Sequence, residues 1–210
     1  MWISTHPFAG WSASAAAGYT SDAIAVAHAT TPYISVYPWS GNTFGTKISD
    51  PSTTPTGQGY DVAFTAADDA IAVAHITSPY ISVYPWSSNT FGTKISDPST
   101  TPTSTGTGVA FTAADDAIAV GHLVSPYVSI YPWSSNTFGT KISDPSTTPT
   151  GNGRGVSFTV ADDAIAVAHY TTPYVSVYPW SSNTFGTKIS DPSTTPTDTG
   201  YGVAFNKVEA

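Results

Sequence analysis

The chain has 210 residues and sets 14 acidic side chains against 6 basic ones, a net charge of −8, so it lacks the basic footprint that phosphate backbones and anionic lipid require. Charged residues make up 10% and aromatics 13%, with 17 Gly and 17 Pro, a mixture of aromatic, β-branched and turn-forming residues that suits an all-β chain. Cysteine is absent, which excludes disulfides and thiolate metal sites, and no apolar run approaches the roughly 18 residues of a spanning helix.

The first stretch, "MWISTHPFAGWSASAAAGY", has no Lys or Arg and no continuous apolar segment, so it is a poor secretion signal. No N-x-S/T sequon occurs, because each "SNTF" or "GNTF" puts Phe after the Thr and the Asn-Thr pair lacks the required spacing. A cytoplasmic or particle-bound protein is expected rather than a secreted glycoprotein. Residues 1–17 read as an N-terminal extension, an attachment or plug whose Trp2, Phe8 and Trp11 are expected to pack on the rest of the chain or on a neighbouring subunit.

Beyond it the chain repeats. Trp39, Trp86, Trp133 and Trp180 are spaced by 47 residues, and His28, His75, His122 and His169 keep the same interval. Each unit divides into four short strand candidates in order: "GVAFT", "AIAVAH", "YISVYPW" and the more polar "FGTKIS". The segments "AADD", "ITSP" and "SSN" between them suit hairpin turns, and "DPSTTPTGQG" is a Pro/Thr/Gly-rich connector. Pro85 and its copies lack a ladder N–H, which places them at a strand end or bulge.

Four antiparallel strands repeated at this period describe a β-propeller blade, so residues 18–210 are predicted to be an all-β propeller of four four-stranded antiparallel blades. "GVAFTAADDAIAVAH" followed by "YISVYPW" resembles the WD40-like pattern, in which a "VAFSPDG" strand and turn precede the second strand. The resemblance covers about residues 18–205 and implies a propeller. It departs from the pattern at "AADD", at "PW" in place of "WD", and in having no Gly-His pair before the first strand, so that family's hydrogen-bonded tetrad is not carried onto residues here. The repeats are also similar to those of bacterial and bacteriophage propellers.

Strand counting raises closure. The first strand type occurs at Val62–Phe64, Val109–Phe111, Val156–Phe158 and Val203–Phe205, while the aligned Ala15–Ala17 have lost Val and Phe. A C-terminal strand over 202–206 is therefore expected to complete the first blade and close the ring. The alternative is an eight-bladed ring made by two chains.

Differences between copies gather in the second-to-third loops and fourth-to-first connectors, which a propeller presents on one face. They nominate Tyr60, Thr107, Arg154, Tyr201, Ile76, Leu123 and Tyr170 as a ligand or partner surface, Tyr and Arg being the residues that dominate binding hot spots. Trp39, Trp86, Trp133 and Trp180 are candidate sugar-stacking platforms, or else packing between blades. The four histidines lie too far from the axis for one ion, and Asp68-Asp69, Asp115-Asp116 and Asp162-Asp163 sit in tight turns that favour Asp. No catalytic residue, metal site or cofactor is expected. A binding or structural module follows, a virion or other particle component with a protein or glycan partner, as a homo-oligomer or within a larger assembly. A multivalent lectin and a designed or amplified propeller without ligand are the alternatives.

Overall fold

The computed structural model describes residues 23–206, which contain fifteen β-strands and no helix. The first sheet holds β1 (Ala23–Ala27), β2 (Ile34–Ser40) and β3 (Thr43–Phe44). Three four-stranded antiparallel sheets follow in chain order. They are β4 (Gly59–Phe64) to β7 (Thr90–Phe91) through β5 (Ala70–His75) and β6 (Ile81–Ser87), then β8 (Gly106–Phe111), β9 (Ala117–His122), β10 (Val128–Ser134) and β11 (Thr137–Phe138), then β12 (Gly153–Phe158), β13 (Ala164–His169), β14 (Val175–Ser181) and β15 (Thr184–Phe185). These are four successive blades of a WD40-like propeller. The expected extension over 1–17 lies outside the described residues.

The alternation in "AIAVAH" explains how blades stack. Successive side chains of a strand point to opposite faces, so Ala70, Ala72 and Ala74 of the second blade face the third, where Val109, Ile118, Val120, Tyr131 and Trp133 meet them. The Ile and Val of the same strand face the other way: Ile71 and Val73 pack with Ile34 and Val36 of the first blade. Small side chains on one face thus receive large ones from the next, which is how a dense core forms between flat sheets. The third and fourth blades repeat the arrangement.

Two strands differ from expectation. The fourth strand shrinks to two residues, because Gly92 turns the chain against the Pro85 ring, where an added Cβ would come within 2.9 Å. Pro85 itself pairs with Ala70 at the last rung of β5–β6, after which Trp86 pairs with Phe91 of β7. The missing N–H therefore falls where the third strand changes partners.

The expected pairing of 202–206 with the first blade is not formed in this chain. Residues 201–206 belong to no sheet, and β1 pairs only with β2 among the described residues. The segment lies against β12 instead: Gly200 N–H donates to His169 O at 3.1 Å, and Gly202 Cα is 2.9 Å from where a Cβ on Gly155 would stand. It occupies the inner-strand place of a blade beyond the fourth.

Candidate recognition face

The start of each inner strand and the loop after each second strand lie on one face, held there by hydrogen bonds. Ile76 N–H donates to Gln58 O and Tyr170 N–H to Asn152 O, both at 3.0 Å. Leu123 N–H donates to Ser104 Oγ at 3.0 Å. The next blade joins in, for Thr105 Oγ1 donates to Ile76 O at 3.3 Å and Thr199 Oγ1 to Tyr170 O at 3.4 Å. Ile76, Leu123 and Tyr170 are thus brought beside the segments that carry Tyr60, Thr107, Arg154 and Tyr201.

Those residues occupy one structural niche. Gly59 pairs with His75 and Asp61 with Ala74, so Tyr60 is the extra residue of a β-bulge, and Thr107 and Arg154 hold the same place in β8 and β12. A bulge re-aims the side chain it extrudes. The glycine before it is required by crowding: a Cβ on Gly106 would come within 2.2 Å of Tyr80 O. Thr107 Oγ1 donates to Gly153 O of the following blade at 2.7 Å, and the Arg154 guanidinium carbon lies 5.9 Å from the centre of the Tyr201 ring. Arg154 is half-buried, and its Nε has no hydrogen-bond partner.

Asp61 belongs to this site although the sequence reading passed over it. It stands where the later copies have Gly108, Gly155 and Gly202. Its carboxylate accepts the N–H of Val62 and, across the blade boundary, that of Val109, each at 2.9 Å. Burial raises its pKa above the usual carboxylate value, against the opposing pull of those two bonds. The signal was available in the copies themselves, since one carboxylate among three glycines breaks the repeat.

The face is apolar and open. Tyr60, Ile76, Val124, Tyr170 and Tyr201 are 42–74% exposed, and they are five of the nine large hydrophobic side chains exposed among the described residues. Leu123 is half-buried beside Val124.

The tryptophans sit elsewhere. Trp86, Trp133 and Trp180 are 2–3% exposed. Each is gripped edge-on by its own blade's Phe residues, Trp133 between Phe111 at 5.4 Å and Phe138 at 5.2 Å. Sugar stacking needs an open ring face, and at these three positions that face is covered by the neighbouring blade. Trp39, in the first blade, is only half-buried.

His75, His122 and His169 are buried within their blades, and His28 is half-buried. His75 Nε2 lies 3.0 Å from Ser82 Oγ on the adjacent strand, and His28, His122 and His169 repeat this with Ser35, Ser129 and Ser176. Burial drives the pKa of His75 and His122 down to about 4 and lowers that of His169. On the opposite face the first Asp of the third and fourth blades' turns clamps the preceding blade: Asp115 accepts Ala66 and Ala67 N–H, and Asp162 accepts Ala113 and Ala114 N–H, all at 2.7–2.8 Å. The second Asp serves its own turn, Asp69 accepting the Thr65 hydroxyl at 2.8 Å.

Equivalent clefts lie on the outer rim between blades. One of them, about 680 Å³, is lined by the ion-paired Lys141 and Asp144 of one blade and by Asn183 and Phe185 of the next. Among the described residues no group of three His, Asp or Glu converges as a metal site.

The fold is that of WD40 repeat proteins. Among solved structures the chain is similar to U3-55K, with a TM-score of 0.51, 17% identity, and coverage of 70% of this chain and 42% of that one. It is likewise similar to the WD40 repeats of RRP9, with a TM-score of 0.52, 17% identity, and coverage of 70% and 41%. The chain thus spans about two fifths of the length of these relatives in fold. No family model and no curated protein matches it.

Proposed function

We propose that this is a non-enzymatic protein-binding module that presents the face built from the inner-strand bulges and second-to-third loops, as a component of a larger particle such as a virion. The observation that carries this reading is the gathering of Tyr60, Ile76, Val124, Tyr170 and Tyr201 in the open on one face, beside the single guanidinium of Arg154. Aromatic side chains with an adjacent Arg, set on a rigid sheet framework, are what protein hot spots are made of. The opposite face carries the Asp clamps that bind blade to blade.

The test is quantitative affinity capture from the native host, comparing the wild-type chain with a Tyr60→Ser/Tyr170→Ser/Tyr201→Ser variant of equal thermal stability. Partners held by the wild type and lost by the variant support the reading. Partners retained equally by both would move recognition away from this face. A glycan-binding reading attaches to the rim clefts, where Lys141, Asp144 and Asn183 supply polar groups beside Phe185. A glycan array with Asn183→Ala and Phe185→Ala as controls separates it from the first.

A further inference from the structure

One position of the recognition face breaks the repeat in charge. Lys47, Lys94, Lys141 and Lys188 recur with the blades, and each is ion-paired to the Asp three residues further on. Arg154 is the chain's only arginine, and it stands where the other copies have Tyr60, Thr107 and Tyr201. Among the described residues no carboxylate forms an ion pair with it. A chain of net charge −8 thus sets a single guanidinium on this face, and none of the described acidic side chains neutralises it.

The backbone places aromatic side chains beside that charge. Tyr170 N–H donates to Asn152 O at 3.0 Å, which holds Tyr170 next to the entry of the strand that carries Arg154. On the other side the segment with Tyr201 runs along the same strand, Tyr201 O standing 3.2 Å from the Cβ position on Gly155. The Arg154 guanidinium carbon is 5.9 Å from the centre of the Tyr201 ring. Tyr170 and Tyr201 are 53% and 74% exposed, so both rings offer apolar surface to a partner. The same two positions hold Tyr60 and Ile76 in the second blade and Thr107 and Leu123 in the third. Only the fourth blade joins a charge to aromatic rings.

We infer, resting on the reading of this face as a protein-binding surface, that its partner presents an acidic peptide segment. An Asp or Glu of that segment sets its carboxylate on Arg154, and apolar side chains on either side of it lie on Tyr170 and Tyr201. The planar guanidinium matches a carboxylate with two parallel charge-assisted bonds, stronger than neutral ones. Nε is buried without a partner, so the Nη1/Nη2 edge is the one that receives the carboxylate. Apolar rings around the pair exclude water and raise its strength above that of an exposed surface pair. One guanidinium balances one negative charge. A nucleic acid would bring many charges to a single cation in a net-acidic chain, and repulsion would oppose it.

A phage-displayed library of short linear peptides, panned on the full chain, tests this. The selected peptides are expected to carry Asp or Glu next to aromatic or aliphatic residues. A synthetic peptide of that sequence should bind Arg154→Gln about tenfold or more weakly than the wild type. Changing the peptide's own acid to its amide should cost the wild type as much and Arg154→Gln nearly nothing. That peptide-side change carries the test even if Arg154→Gln disturbs the fold. Peptides without a shared carboxylate, or equal binding to wild type and Arg154→Gln with loss at Tyr170→Ser and Tyr201→Ser, would overturn the inference and leave the face as the binding surface. Binding that none of the three variants changes would overturn both, and a library that yields no binder would overturn the inference.

Discussion

The carboxylate of Asp115 accepts the N–H of Ala67 at 2.7 Å with one oxygen and that of Ala66 at 2.8 Å with the other, reaching from the third blade back to the turn of the second. Asp115 adopts a φ of 53° to do so, in the left-handed region that Asp tolerates better than most residues. Asp115→Ala removes two charge-assisted bonds and leaves a left-handed Ala. It should cost about 2 kcal/mol, with Asp162→Ala equal to it and the pair nearly additive; urea denaturation of the three variants measures this.

Trp133→Ala empties a slot between blades that Phe111, Phe138 and the alanines of the second blade enclose. A loss of roughly 3–5 kcal/mol is expected, the range for large aromatic truncations in a core. Trp39→Ala, at the half-buried copy, should cost clearly less. Equal losses at the two sites would mean that the Trp39 face is covered after all.

Gly106→Ala drives a methyl group to 2.2 Å from the Tyr80 carbonyl oxygen, which is backbone and has nowhere to retreat. A destabilisation of about 2 kcal/mol or more is expected, read as a drop in melting temperature. Gly202→Ala, with nothing within 4 Å of its Cβ position, is expected to be nearly neutral.

Acid should unfold the protein early. His75 and His122 have folded-state pKa values of about 4, below the 6.5 of an unfolded histidine, so the unfolded chain binds more protons between those limits. Stability is full above pH 6.5 and falls as the pH drops to 4, by on the order of 3 kcal/mol per histidine. Asp61, whose folded pKa is raised, acts oppositely: its contribution is present at low pH and is lost as pH rises through its folded value. Chemical denaturation at pH 7, 5.5 and 4.5 measures the balance, and His122→Gln should flatten the acid slope.

Tyr170 and Tyr201 are 53% and 74% exposed, and replacing either with Ser should change stability by no more than about 0.5 kcal/mol. A denaturation midpoint within error of the wild type is the expected result. It also certifies these variants for the capture experiment.

Much of the architecture was legible along the chain because period-two patterning and a strict 47-residue repeat are local signals. The four strands per unit, the turn at "AADD" and the gathering of the variable loops on one face all follow from the order of elements. The bulges at Tyr60, Thr107 and Arg154 were not legible, since an extra residue in a strand shows only once its partner is known. Neither was the reach of Asp115 into another blade, because a turn Asp that serves its own turn and one that serves its neighbour have the same local sequence.

The repeat alone therefore decided that blades would form and which side of each second strand would be small or large, as each depends on residues a few positions apart. Tertiary structure decided the fate of Trp86, Trp133 and Trp180, whose rings the preceding blade covers. It also decided where 202–205 lies. "GVAF" pairs with the second strand of its own blade in the second and third blades, yet 202–205 joins no sheet, a placement set by packing between blades and by no single stretch of chain.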